Sequence, residues 1–237
     1  MNQRSPGPLA QAVTFRTFGA KTPAQTTTMT RRDDAGTRAN AAKVIAAGGV
    51  IAFRTDTFYG LGTDPFNAAA VRKIRELKGR EEAKPILLLI SDLSEVDRFI
   101  THQSEIFKSV ANRFWPGPIT LIGTARPELP VELTAGTQTI GLRLPKDEEV
   151  RSLVRECGGA LTATSANSSG HEPSKTAVDV VAYFPNGIDL VLDGGTVTAT
   201  EPSTVVDLSE DKPRLVREGV IKRAALEELS ADYEDFA

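Results

Sequence analysis

Apolar residues recur at helical spacing in several stretches of the chain. Between residues 37 and 47, Ala41 and Ile45 share one helix face, and the two glycines that follow are a typical helix end. Asn67 suits the N-cap of a helix that continues to Leu77. The same spacing predicts further helices at about 104–114, 147–157, 176–183 and 226–229.

Short apolar runs lie between these helices. The densest of them, Pro85 to Ile90, does not alternate with polar residues, which is typical of a strand covered on both faces. We interpret Arg54 to Gly62, in contrast, as a turn rich in hydroxyl groups and glycine. The other predicted strands are 50–53, 119–122, 139–144, 160–163, 188–192, 204–208 and 214–217.

Strands and helices interleave without a repeat or an internal linker. The pattern therefore predicts one α/β domain over residues 33–230, a single twisted mixed sheet flanked by helices. Residues 1–32 lack both periodicity and acidic residues, so we interpret them as a flexible basic tail, with a targeting segment as the less favoured alternative. Residues 231–237 are predicted to form a C-terminal tail.

Composition narrows the functional class. With 237 residues, 40% of them apolar and a net charge of −3, the chain has the make-up of an ordinary soluble domain and not of a protein that coats nucleic acid. No apolar stretch approaches the roughly 20 residues that span a bilayer, so no membrane association is expected. The single cysteine, Cys157, leaves no internal disulfide and no cysteine zinc site, and favours a reducing, cytoplasmic compartment.

Candidate chemistry lies in segments where predicted strands or helices end. Thr57 and Tyr59 follow a buried strand, where open α/β sheets bind ligands, although a simple Thr turn explains the same residues. Lys78, Arg80 and Lys84 place three cations around a glycine at a helix end, which suits a polyphosphate. The helix dipole alone also favours cations there.

Two further segments suit an anionic ligand. The loop Thr164–Gly170 has small side chains and contains Ser165 and Asn167, which is typical of an anion-binding loop and also of a plain solvent loop. Thr139 and Arg143 share one face of a predicted strand, with Gly141 between them. Because an unpaired buried arginine is costly, Arg143 needs an anionic partner from the protein or from a substrate.

Seven segments in this order resemble the YrdC/Sua5/TsaC family, the L-threonylcarbamoyladenylate synthases. The resemblance covers about residues 37 to 222, and its strength comes from the combination and not from any single motif. The segments are Arg54–Leu61, Lys78-Gly79-Arg80 with Lys84-Pro85, Trp115-Pro116-Gly117-Pro118-Ile119-Thr120, Gly141–Pro145, Ser165–Gly170, Pro202–Asp207 and Arg217-Glu218-Gly219.

The resemblance implies a YrdC-like fold with a concave basic cavity and a defined reaction. L-threonine, bicarbonate or CO₂, and ATP would condense to threonylcarbamoyl-AMP with release of pyrophosphate. Mg²⁺ would come with the ATP. A threonylcarbamoyl transferase complex would then use the product to modify adenosine 37 of tRNA, and a weak contact with tRNA is expected.

The resemblance also implies roles for individual residues. Arg80 and Lys84 would be catalytic and would hold the ATP phosphates. The other expected nucleotide-binding residues are Lys78, Thr139, Ser165, Asn167, Pro173 and Arg217. The expected threonine-binding residues are Thr57, Tyr59, Arg143, Ala163 and Ser203.

Three departures from the family pattern are visible. A histidine that some members place near threonine falls on Leu89 here, and Arg54 stands where a proline is usual. The additional C-terminal domain of the longer Sua5 form is expected to be absent. Two alternatives remain at this point: a double-stranded RNA or tRNA-binding module without catalysis, and a carbamoyl-transfer or maturation domain of a larger complex.

Overall fold

The computed structural model of the chain describes residues 28–79, 85–168, 170–210 and 212–230. Arg80 and Lys84, which carry the predicted catalytic role, lie outside the described residues. So do most of the predicted N-terminal tail and all of the predicted C-terminal tail.

Side chains at their N-termini fix the starts of several helices. Asp34 accepts a hydrogen bond from Thr37 N at 2.8 Å, and Asn67 accepts one from Ala70 N at 3.1 Å, as predicted for Asn67. Within the described residues the helices are α1 (Ala35–Ala46), α2 (Ala68–Lys78), a 3₁₀ helix (Leu93–Arg98), α3 (Glu105–Phe114), α4 (Val131–Thr134), α5 (Glu148–Glu156), α6 (Ala177–Tyr183) and α7 (Arg223–Ser230).

The strands form one mixed sheet. They are β1 (Thr30–Arg32), β2 (Ile51–Arg54), β3 (Tyr59–Gly62), β4 (Leu87–Ile90), β5 (Ile119–Thr124), β6 (Thr139–Arg143), β7 (Ala160–Ser165), β8 (Leu190–Asp193), β9 (Thr204–Asp207) and β10 (Arg214–Arg217). Their order across the sheet is β1-β8-β2-β3-β7-β4-β6-β5-β9-β10. Strand pairs such as β4 with β6 are parallel, whereas β4 with β7 is antiparallel.

Alternate residues of each strand pack on opposite faces of the sheet. In β4, Leu88 and Ile90 join the larger core cluster, which also takes in residues of α2, α3, α6 and α7. Leu89 belongs to the smaller cluster, and Leu87 packs against it. That second cluster is formed with α1 and α5, which pack against β2, β4, β7 and β8. Helices therefore lie on both faces of the sheet. The face that packs against α1 and α5 is covered only in part.

Two strands differ from the sequence analysis. Thr30–Arg32, assigned there to the tail, pairs in parallel with β8, and the ordered sheet therefore begins before residue 33. Its three residues are exposed and carry no apolar pattern, so only the hydrogen bonds to a distant strand define it. Tyr59–Gly62, interpreted as part of a turn, is strand β3 and is fully buried.

Gly62 explains why a glycine-rich segment lies inside the sheet. A Cβ atom at Gly62 would lie 2.7 Å from the Phe53 ring and 3.0 Å from the carbonyl oxygen of Thr162. Glycine is therefore required by the close approach of neighbouring strands, and not by a turn. The 3₁₀ helix and the short helix α4 also have no counterpart in the sequence analysis.

Candidate functional site

A cleft of about 410 Å³ opens on the sheet face that α1 and α5 cover only in part. The cleft adjoins the smaller core cluster. Three residues belong to both, because they pack with that cluster and also line the cleft: Leu87, Leu89 and Ala163. The floor crosses seven adjacent strands, from β3 to β10 in the sheet order. The predicted site residues that line it are Thr57, Tyr59, Thr139, Arg143, Ala163, Ser165, Pro173, Ser203 and Arg217.

Two guanidinium groups provide the charge of the cleft wall. Among the described residues that line the cleft, Arg143 and Arg217 are the charged ones, and both are positive. Lining carboxylates are absent from this described set. Such a wall attracts an anionic ligand, and a guanidinium suits carboxylate and phosphate groups in particular.

Arg143 is only 3% exposed, and its guanidinium donates to three acceptors. Its Nε donates to the carbonyl oxygen of Gly117 at 3.3 Å, and its Nη1 donates to Thr57 Oγ1 at 3.1 Å. Its Nη2 donates to the carboxylate of Asp56, with which it forms an ion pair. The anionic partner that the sequence analysis required for Arg143 is therefore supplied by the protein.

The turn between β2 and β3 presents Asp56 and Thr57 to Arg143. Thr55 organises this turn, because its Oγ1 donates to the carbonyl oxygen of Phe58 at 2.6 Å. The same oxygen lies 3.2 Å from the backbone N–H groups of Thr57 and Phe58, which donate to it. The Thr turn weighed in the sequence analysis is thus present, and the same turn contributes to the cleft wall.

Arg217 is anchored to Ser203, the residue just before β9. Its Nε and Nη2 donate to the carbonyl oxygen of Ser203 at 3.1 and 2.8 Å, and Nη2 lies 3.2 Å from Ser203 Oγ. Ser203 Oγ is in turn 3.2 Å from Thr120 Oγ1. Although the side chain is exposed overall, desolvation of the guanidinium and then the positive charge of Arg143 lower the pKa of Arg217. The positive charge of Arg143 therefore acts on Arg217.

Tyr59 lines the cleft, but its hydroxyl is already engaged. The hydroxyl donates to the carbonyl oxygen of Gly195 at 2.8 Å and accepts from Gly194 N at 3.1 Å. Burial, reinforced by the charge of Asp193, raises the pKa of Tyr59 to about 12. Tyr59 is therefore neutral and contributes its ring to the cleft wall. Its hydroxyl holds the segment just after strand β8 in place.

Lys78 and Asn167 lie behind the cleft and do not line it. The buried Lys78 ammonium donates to the carbonyl oxygens of Ser165 and of Asn167, the latter at 2.8 Å. Asn167 Nδ2 donates to the carbonyl oxygens of His171 at 2.6 Å and Ser168 at 3.0 Å. Both side chains thus hold the loop that follows β7 in its conformation.

Strand β6 crosses the middle of the cleft floor. Gly141 separates Thr139 from Arg143, as the strand period predicts, and a Cβ atom there would lie 3.0 Å from Thr120 Cγ2. Leu89, where the resemblance places the histidine of some family members, contributes an apolar surface. Arg54 lies outside the lining and pairs with Asp147 at 2.6 Å.

Asp56 and Gly117 belong to the site although neither was predicted as a site residue. Asp56 lies in a motif quoted for the family resemblance, but its acidic side chain gave no sign of its partner, 87 residues away. Gly117 acts through its backbone oxygen, which no side-chain pattern reveals. The requirement for an anion beside Arg143 was the available signal for Asp56.

A family comparison accounts for these motifs together. The family model Sua5_yciO_yrdC, described as "Telomere recombination", matches residues 43–219 and so includes every described residue that lines the cleft. The chain belongs to the Sua5/YciO/YrdC family. The predicted family membership is thereby confirmed.

Two relatives of this Sua5/YciO/YrdC chain are threonylcarbamoyl-AMP synthases. The protein from Thiobacillus denitrificans is 41% identical over 165 residues, which cover 70% of this chain and 87% of that protein. The protein from Bacillus subtilis is 38% identical over 191 residues, which cover 80% of this chain and 55% of that protein. Relatives of this kind indicate an enzyme.

A solved structure gives the same picture at the level of the fold. Sua5 of Pyrococcus abyssi complexed with L-threonine has a TM-score of 0.80 and 32% identity to this chain. The likeness covers 86% of this chain and 60% of that chain, and it confirms the predicted mixed sheet flanked by helices. This chain thus spans between 55% and 60% of the length of these two longer relatives.

Two properties of the described residues bear on other site types. Every helix in the described ranges is too short or too polar to span a membrane. Over the same ranges, His, Cys, Asp and Glu side chains form no group of three or more that is arranged to hold a metal ion.

Proposed function

We propose that this protein is a threonylcarbamoyl-AMP synthase, and hence a nucleotidyltransferase. It condenses L-threonine, bicarbonate or CO₂, and ATP to threonylcarbamoyl-AMP and pyrophosphate, with water released when bicarbonate is used. The observation that carries the proposal is the cleft in which Arg143 and Arg217 are the charged lining residues that the structure describes. The named activity of the relatives supports the same reading.

In this proposal the threonine end of the cleft surrounds Arg143. Its guanidinium pairs with the α-carboxylate of threonine, since it is buried and its donors face Thr57 in the cleft wall. Thr57 and Ser203 supply hydroxyl groups, whereas Tyr59 and Ala163 supply apolar surface and a backbone edge. L-threonine bound to P. abyssi Sua5 is consistent with a threonine subsite in this fold.

The nucleotide end is proposed to lie between the loop after β7 and Arg217. Thr139, Ser165 and Pro173 line this part, and Arg217 adds the positive charge. Arg80 and Lys84 are proposed to bind the phosphates. Lys78 and Asn167 support the loop from behind, because Lys78 Nζ and Asn167 Nδ2 donate to its carbonyl oxygens. Mg²⁺ enters as part of the substrate Mg-ATP.

The proposed chemistry is mainly positioning and charge neutralisation. The amino group of threonine first becomes a carbamate, and a carbamate oxygen then attacks the α-phosphorus in line. The bond between that phosphorus and the oxygen bridging to the β-phosphate breaks, and pyrophosphate leaves. Guanidinium groups aimed at the developing negative charge stabilise such a transition state.

The proposal extends to partners and location. The product would pass to a threonylcarbamoyl transferase complex that modifies adenosine 37 of tRNA, with at most a weak contact between this protein and tRNA. A protein with this task works in the cytoplasm, where tRNA is modified and ATP is plentiful.

Pyrophosphate release tests the proposed function. Purified protein with Mg-ATP and bicarbonate should release pyrophosphate when L-threonine is added, and much less with L-serine or without an amino acid. Release that is independent of threonine would contradict the proposal. A non-catalytic RNA-binding module would instead show no turnover and would lose RNA affinity steeply with salt.

A matched pair of arginine variants on β10 tests the role of the cleft. Arg217→Met should slow threonine-dependent release by about tenfold or more, because it removes a cation that neutralises transition-state charge. Arg214→Met is the control, since the Arg214 side chain is 69% exposed and pairs with Asp207. It should remain within about twofold of the wild type. An equal loss of rate in both variants would show that Arg217 has no specific role in the site.

A further inference from the structure

Asp56 has a position that the proposed substrate contacts do not explain. The residues lining the cleft, among those the structure describes, include Thr55, Thr57 and Phe58 but not Asp56 between them. The Asp56 side chain is 18% exposed, and its carboxylate reaches Arg143 from outside the cleft. A ligand in the cleft therefore meets Arg143 and not Asp56.

The hydrogen bonds of Arg143 leave donors for a second acceptor. A guanidinium has five N–H donors. Nε is used by Gly117, one donor of Nη1 by Thr57 and one donor of Nη2 by Asp56. One N–H on each terminal nitrogen remains, and these donors can reach the oxygens of a carboxylate.

The charge of Asp56 also makes the buried position of Arg143 tolerable. A buried guanidinium without a counter-ion is strongly unfavourable, and Arg217 adds a second positive charge nearby. Thr57 and Gly117 offer Arg143 neutral acceptors, so among its hydrogen-bond partners Asp56 is the one that brings a negative charge. The rigid Thr55 turn fixes where that charge lies.

We propose that Asp56 is a positioning residue that orients Arg143, so that its two remaining donors face the α-carboxylate of the amino-acid substrate. The inference rests on the proposed function, which places that carboxylate at Arg143. Asp56 acts through Arg143 alone and contacts neither the amino acid nor the nucleotide. Its removal therefore weakens recognition of the amino-acid carboxylate without altering the nucleotide end.

The test measures the Kd of L-threonine and the KM values of L-threonine and ATP in Asp56→Asn, which keeps the size of the side chain. We expect the threonine values to rise by about tenfold and the ATP value to stay within about twofold. Asp64→Asn is the matched control, because Asp64 accepts a hydrogen bond from Phe66 N in another turn, away from the cleft. It should resemble the wild type.

A double-mutant cycle separates positioning from a general loss of structure. In an Arg143→Met background, Asp56→Asn should change the Kd of threonine by less than about twofold, because the residue through which it acts is gone. Independent, additive losses would overturn the proposal, as would an unchanged Kd in the single variant.

If Asp56→Asn alone fails to fold, the double variant should still fold, since it has no uncompensated charge. An unfolded double variant would also overturn the inference.

The same measurements keep the two proposals apart. A wild-type protein that turns over with threonine, combined with an Asp56→Asn variant of normal threonine affinity, counts against Asp56 alone. A wild-type protein that neither binds threonine nor requires it for turnover overturns the proposed function and, with it, this inference.

Discussion

Lys78 shows how a single buried charge organises a loop that its own sequence leaves undefined. The ammonium lies 6% exposed beneath the loop after β7 and donates to two of its carbonyl oxygens. Buried carbonyl groups need such partners, and a charged donor provides the strongest ones. The basic cluster at the end of α2 therefore includes a residue whose contacts are internal to the protein.

Replacing Lys78 tests this structural contribution. Lys78→Met should lower the free energy of unfolding by about 3 kcal/mol, since it removes a buried charged donor from two backbone carbonyl oxygens. Lys73→Met, also on α2, is the control, because Lys73 is 38% exposed in its ion pair with Asp189. It should cost less than about 1 kcal/mol. Urea unfolding measures both values, and equal losses would contradict the assigned role.

Cys157 gives a second prediction for a single side chain. Burial, with a smaller effect of Glu156, raises the pKa of its thiol to about 12 from an ordinary value of 9.0. The neutral thiol is thus favoured in the folded protein, and stability present below pH 9 is lost as the pH rises from 9 towards 12. At pH 8, a thiol reagent should react at least about 100-fold faster after unfolding in guanidinium. Equal rates before and after unfolding would contradict the burial.

At the scale of whole elements, the start of a helix can follow from local signals, whereas a strand can depend on a partner far away in the chain. Asn67 was predicted as an N-cap, and α2 begins directly after it, because capping depends on residues close in sequence. β1 depends instead on β8, and its three exposed residues carry no pattern of their own. β3 contains two glycines that suit a turn, and at Gly62 the close approach of Phe53 and of the Thr162 backbone explains the glycine.

Gly219, in the segment after β10, is a glycine that close packing requires. A Cβ atom at Gly219 would lie 2.2 Å from the carbonyl oxygen of Pro202 and 2.8 Å from the carbonyl carbon of Ser203. Gly219→Ala should therefore destabilise the protein by about 2 kcal/mol or more and displace Ser203 from the cleft wall. Thermal and urea unfolding, together with the KM for threonine, measure the two effects.

Gly36 is the control for that substitution. It lies in α1, where an added Cβ would lie 3.5 Å from Asp34 Oδ1, an ordinary contact. Because alanine favours a helix over glycine, Gly36→Ala should leave the stability unchanged or raise it by up to about 1 kcal/mol. A Gly219→Ala variant as stable as Gly36→Ala would contradict the prediction, because it would show that the Pro202 backbone shifts at little cost.

At the scale of the molecule, the sheet order unites residues that are far apart in the chain. Gly60 pairs with Ser165, and Leu89 pairs with Arg143, so motifs from both halves of the sequence meet on one floor. The motifs themselves were recognisable from the sequence, as was the class of fold. Their arrangement was not, because it depends on crossovers between strands. The pair of Asp56 and Arg143 illustrates this, since both residues were visible but their contact was not.

Ligand binding across this floor should stabilise the whole domain. Mg-ATP and L-threonine together, each at about 100 times its Kd, should raise the Tm by about 5 °C or more, because both bind only the folded state. Arg143→Met should lose most of the share of the shift that threonine contributes at this concentration and keep the share due to Mg-ATP. Differential scanning fluorimetry measures these shifts, and an unchanged Tm with both ligands would contradict the prediction.

The cleft floor also constrains the shape of what it binds. Neighbouring strands are rotated by about 20–25° relative to each other, so seven adjacent strands turn through more than about 100° from β3 to β10. The floor is consequently a saddle and not a straight trough. A molecule that touches both ends must follow this twist. Curvature of the sheet thus selects flexible, kinked ligands over rigid, linear ones of equal length and charge.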